Sequence, residues 1–121
     1  MTEQQIQRKI IKWLEHNGYW VVKTIQCNKR GVPDILACSP LGEFIAIEVK
    51  TPEGKVSDLQ HFQIEKINYI GGTAFVARSV EDVKHELGYD LAIQCVDTMR
   101  KKGFNWPEMI CEQTEHLNET K

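Results

Sequence analysis

At 121 residues the chain can bury one hydrophobic core but not two independent ones, so a single domain with at most a small appendage is expected. A net charge of −2 excludes a protein that coats nucleic acid by bulk charge alone. No apolar run approaches the roughly 20 residues needed to cross a bilayer, and the N-terminal MTEQQIQRK lacks the apolar stretch of a signal peptide, so a cytoplasmic protein without membrane partners is expected.

Thr2-x-x-Gln5 has the form of a capping box, and Ile6, Ile10, Trp13 and Leu14 recur at helical spacing until Gly18, predicting a first helix. Tyr19 to Ile25 is aromatic and β-branched and predicts a strand. Gln26 to Val32 has turn chemistry with positive charge. Asp34 to Cys38 predicts a second strand, Ser39 to Gly42 a turn, and Glu43 to Lys50 a third strand, the last two strands forming a hairpin. A second helix opens at the capping box Ser57-x-x-Gln60 and closes at Gly71-Gly72. Thr73 to Ala77 predicts a fourth strand, parallel to a strand of the hairpin because a long crossover precedes it, and Ser79-x-x-Asp82 opens a third helix. The fold class is therefore α/β, a mixed sheet flanked by helices in the order α-β-β-β-α-β-α. Residues 1–87 form the expected core, and 88–121 a C-terminal helical extension, with a helix over 90–102, that packs on the core or in a dimer interface.

Cys27, Cys38, Cys95 and Cys111 are widely separated and lack zinc-ligand spacing, so free, mostly buried thiols are expected. Trp13, Trp20 and Phe62 read as core residues. Charge is uneven along the chain. Residues 1–34 carry a net +3 and residues 88–121 a net −2, so a nucleic-acid surface belongs to the first part. Lys29 and Arg30 read either as phosphate contacts or as a solvated loop.

The third strand is the most informative stretch. Side chains alternate across a strand, so Phe44, Ala46, Glu48 and Lys50 share one face while Ile45, Ile47 and Val49 share the other. Apolar residues on both faces mark a central strand, where a charged pair is costly to bury without compensation. Pro33-Asp34 starts the neighbouring strand, and the hairpin can bring Asp34 near Glu48 at one end of the sheet. Two carboxylates then converge beside one lysine, and a divalent cation is the usual remedy for their repulsion. Hard oxygen ligands favour Mg²⁺ or Mn²⁺. A cation held by Asp34, Glu48 and the Val49 backbone carbonyl can polarise a phosphoryl oxygen, with Lys50 positioning the nucleophile or offsetting transition-state charge. The expected chemistry is phosphodiester hydrolysis.

The run Gly31-Val32-Pro33-Asp34, then Ile47-Glu48-Val49-Lys50, then Ser57-x-x-Gln60 resembles the PD-(D/E)XK nucleases, and among them the VRR-NUC (virus-type replication-repair nuclease) family, including its stand-alone phage members. The resemblance spans about residues 3–87 and implies a restriction-endonuclease-like core. It implies Asp34 and Glu48 as metal ligands and Lys50 as the catalytic lysine. Glu3 would complete the metal site directly or through water, and Gln60 would orient Lys50 or a phosphate. The resemblance further implies a homodimer that cuts branched DNA such as four-way (Holliday) junctions, in the host cytoplasm for a phage-encoded protein. The competing readings are a sequence-specific or non-specific nicking or restriction-type nuclease, and a non-catalytic DNA-binding domain that keeps the nuclease fold.

Overall fold

The structure, a computed structural model, describes residues 1–88, so the expected helix over 90–102 and the rest of the C-terminal extension lie outside the described residues. The elements follow the expected order: α1 (Glu3–His16), β1 (Trp20–Lys23), β2 (Ile35–Cys38), β3 (Phe44–Val49), α2 (Asp58–Ile70), β4 (Thr73–Ala77) and α3 (Val80–Leu87). Both capping boxes form, the Thr2 hydroxyl accepting from the Gln5 N–H and the Ser57 hydroxyl from the Gln60 N–H, each at 3.2 Å. They satisfy amides that a helix start leaves without an internal partner. α2 stops at Gly71, whose φ of +117° is the left-handed conformation that glycine adopts without a Cβ penalty.

The sheet runs β1-β2-β3-β4, antiparallel across the first two pairs and parallel between β3 and β4. Strand β3 is therefore central, as its apolar faces require. Its two faces are covered separately. Ile45, Ile47 and Val49 pack with Ile6, Ile10 and Leu14 of α1 and Val83 of α3, while Ala46 packs with Ile64 of α2 and Ala74. Fully burying side chains such as Ile10, Leu14, Ile35 and Ile47 contributes about 1.5–3 kcal/mol each. Among the described residues no helix is long and apolar enough to cross a membrane.

Three expectations about burial need correction. Trp20 is 60 % exposed because β1 is the edge strand and α2 packs over β3 and β4, leaving the β1 side of that face open. Phe62 is 55 % exposed on the outer side of α2, with the Lys66 ammonium 5.9 Å from its ring centre. Only Trp13 packs on the core, tilted against Tyr19 at 6.3 Å between ring centres. Cys27 and Cys38 are exposed free thiols rather than buried ones, the first in a loop and the second at the end of β2, while Cys95 and Cys111 lie outside the described residues.

Candidate active site

The register of the hairpin assembles the site. Ile35 pairs with Ile47, so one further step along the antiparallel ladder sets Asp34 opposite Glu48. The backbone at Asp34 is held by Thr24, just past the end of β1. The Thr24 N–H donates to the Asp34 carbonyl at 2.8 Å, and its hydroxyl donates to the carbonyls of Pro33 at 3.0 Å and Asp34 at 3.2 Å. The side chain is held as well, because Oδ2 of Asp34 accepts from the Val49 N–H at 2.9 Å. Asp34 thus reaches across to the strand that carries Glu48.

The loop leading into Asp34 lies against the start of α2. Gly31 has a φ of +76°, and a Cβ there would stand 2.7 Å from the backbone carbon and oxygen of Leu59. Only glycine fits so close an approach in that conformation. The Gln63 amide nitrogen adds a bond of 3.1 Å to the Arg30 carbonyl, so loop and helix are tied together.

Glu48 is 2 % exposed, and its pKa is pushed up from 4.5 to about 8. Burial is the largest cause, followed by the hydrogen bond to Asp34 and the Asp34 charge; Lys50 opposes the shift, and Glu3 adds to it least. At neutral pH Glu48 therefore favours its protonated form. Two carboxyls so placed could hold a cation, whose positive charge would take the place of that proton. The donors are carboxylate oxygens, which fits Mg²⁺ or Mn²⁺. Among the described residues no group of three or more His, Cys, Asp and Glu side chains comes together as an ion cage; Asp34 and Glu48 form the acidic centre, and the Glu3 charge reaches Glu48 as the smallest influence on it.

Lys50 directly follows β3. Its N–H donates to the Ala77 carbonyl at 3.1 Å, and its side chain is half-buried on the face that carries Glu48. Gln60 lies in the first turn of α2, where its Oε1 accepts from the Ser57 N–H at 2.9 Å; the cap uses the oxygen and not the NH₂ group. Lys29 and Arg30 are exposed in the loop before Gly31. Sequence reasoning missed Thr24, because its partners are backbone carbonyls, which leave no mark in the sequence.

Residues 20–81, just over half of the chain, match the family model of the VRR-NUC domain. The chain belongs to the VRR-NUC family. It is accordingly a nuclease domain, and the matched span holds Asp34, Glu48, Lys50 and Gln60, with Glu3 ahead of it. A solved VRR_NUC domain superposes with a TM-score of 0.62 at 26 % identity, over 70 % of this chain and 94 % of its own. A second solved structure, a VRR_NUC domain protein, superposes with a TM-score of 0.60 at 16 % identity over 73 % of this chain and 89 % of its own, and shows the fold alone. No curated protein matches the chain.

Proposed function

We propose that this VRR-NUC chain is an Mg²⁺- or Mn²⁺-dependent DNA endonuclease that hydrolyses phosphodiester bonds and prefers branched DNA such as four-way junctions. The observation that carries the reading is the register that sets Asp34 opposite Glu48 at the buried end of β3, with Lys50 two residues on. Asp34, Glu48 and the Val49 carbonyl would hold the cation, with Glu3 contributing through water. A cation bound there supplies Lewis-acid stabilisation of phosphoryl charge and makes a nearby water easier to deprotonate.

The chain's own groups do the rest. Glu48 would have to be ionised to hold the cation together with Asp34. The Val49 N–H keeps the Asp34 side chain fixed in place by its bond to Oδ2. Lys50, on the same strand face as Glu48, offsets the charge that builds on the phosphoryl oxygens and orients the attacking water. Gln60 offers its NH₂ group to a phosphate oxygen or to the water beside Lys50. Lys29 and Arg30 contact the DNA backbone ahead of the site, which positions the strand without reading its sequence.

The preference for branched DNA is supported by the resemblance to VRR-NUC proteins. A homodimer would carry two sites related by a two-fold axis, which suits paired incisions across a four-way junction. The test is cleavage of a labelled four-way junction, a flap and a linear duplex in Mg²⁺, with sedimentation of the same sample. The expected result is a dimer that cuts the junction first. Equal rates on all three substrates, or cutting confined to one duplex sequence, would refute the branched-DNA reading, and binding of all three without cutting in either metal would refute the enzyme.

A further inference from the structure

Strand β4 ends at Ala77, and the next residue, Arg78, sends its side chain across to the turn that leaves β3. Its Nη1 donates to the carbonyls of Thr51 at 2.6 Å, Gly54 at 2.7 Å and Pro52 at 3.3 Å. The base of the residue is fixed too, since the Arg78 N–H donates to Oδ2 of Asp82 at 2.8 Å, and Asp82 is itself capped by the Ser79 hydroxyl at the start of α3. All three side-chain acceptors lie between Lys50 and Ser57, the N-cap of α2, and none lies in either core cluster.

The acceptors explain why a cation stands there. Carbonyl oxygens that converge on one nitrogen present their negative ends to one another, and a charged donor between them turns that repulsion into charge-assisted hydrogen bonds. The turn also has its own bond, from the Gly54 N–H to the Thr51 carbonyl at 3.0 Å, so the Thr51 oxygen receives two donors. The segment so held has Lys50 at one end and, six residues beyond Gly54, Gln60 at the other. Lys50 is tied by its N–H to Ala77, and the following turn is tied by its carbonyls to Arg78, so adjacent residues of β4 and its exit set where the strand end sits.

We propose that Arg78 is a positioning residue of the nuclease site: its guanidinium fixes the turn 51–54 and thereby aligns the Lys50 ammonium and the Gln60 amide with the Asp34–Glu48 pair. This rests on the nuclease reading given above. Arg78 spends Nη1 on the turn, so its loss acts on the rate of the chemical step rather than on capture of DNA. Misplacing a reacting group by about 1 Å costs on the order of 100-fold in rate.

The experiment compares the full-length wild type with Arg78→Met and Arg78→Lys, measuring kcat and KM on a cleaved DNA substrate in Mn²⁺ and amide hydrogen exchange without metal. Arg78→Met is expected to lower kcat by roughly 10- to 100-fold with KM within about 3-fold, since only alignment is lost. Exchange is expected to quicken in residues 51–60 and to stay unchanged in α1 and β2. Arg78→Lys, whose ammonium carries three N–H donors against the two of Nη1, is expected to recover part of the kcat loss, as the planar two-nitrogen fork is not used by these bonds. Wild-type kcat and exchange in the Met variant would overturn the proposal. A rise in KM alone would assign Arg78 to DNA contact and overturn it as well, and accelerated exchange throughout both variants would reduce Arg78 to a fold-stabilising residue. A wild type that cuts no DNA refutes the nuclease reading and this role with it, whereas a cutting wild type with an unimpaired Met variant refutes only the role of Arg78.

Discussion

Replacing Glu48 with glutamine should make the metal-free protein more stable at neutral pH, although it removes a central site residue. The folded-state pKa of Glu48 is raised from 4.5 to about 8, so between those values the folded chain holds a proton that the unfolded chain has released. Stability is then fully present below pH 4.5 and is lost as pH rises through 8. Each unit is worth about 1.4 kcal/mol, so the loss is roughly 3 kcal/mol by pH 7 and approaches about 5 kcal/mol above pH 8. Glutamine keeps the shape and the capacity to donate to Asp34 but cannot ionise. Urea unfolding in EDTA at pH 5, 7 and 8.5 checks this: the two proteins should agree within about 1 kcal/mol at pH 5, and Glu48→Gln should be the more stable by about 3 kcal/mol at pH 7. Parallel stability curves for the two proteins across this range would refute the argument that burial and Asp34 hold a proton on Glu48.

Two other predictions concern how the site fills and how it is held. Binding of Mn²⁺ at pH 7 should release close to one proton per site, read as the dependence of calorimetric heat on buffer ionisation enthalpy; Glu48→Gln should release none. Gly31→Ala places a Cβ 2.7 Å from the Leu59 backbone in a left-handed conformation, so it should destabilise the fold by about 1–3 kcal/mol in thermal or urea unfolding. Cleavage should fall further than folding does, because the displaced loop runs directly into Asp34.

The central elements were legible because each rested on a local rule. Period-two alternation from Phe44 to Val49 marked β3 as buried on both faces, and the short turn at Ser39–Gly42 set the hairpin that places Asp34 opposite Glu48. The capping boxes gave the starts of α1 and α2. Strand limits were read about one to two residues too long, since Tyr19 enters the core and Ile25 leaves the sheet without pairing. Trp20 and Phe62 were misplaced for a different reason: an aromatic side chain reads as core in any sequence, and whether it is covered depends on which strands α2 crosses. Thr24 and Arg78 were not legible because their partners are backbone carbonyls, which carry no residue signature, 9 to 27 positions away in the chain. Gln60 shows both sides at once, being a cap by its oxygen and a candidate site group by its nitrogen.

The most direct test of the acidic pair with its lysine is single-turnover cleavage of a labelled four-way junction by the wild type, Asp34→Ala and Lys50→Ala, each in Mg²⁺, Mn²⁺ and EDTA. The account predicts cutting by the wild type in either metal, none in EDTA, and a loss of at least about 100-fold in both variants while each still folds and binds the junction. Cutting by either variant at the wild-type rate, or by the wild type in EDTA, would contradict it.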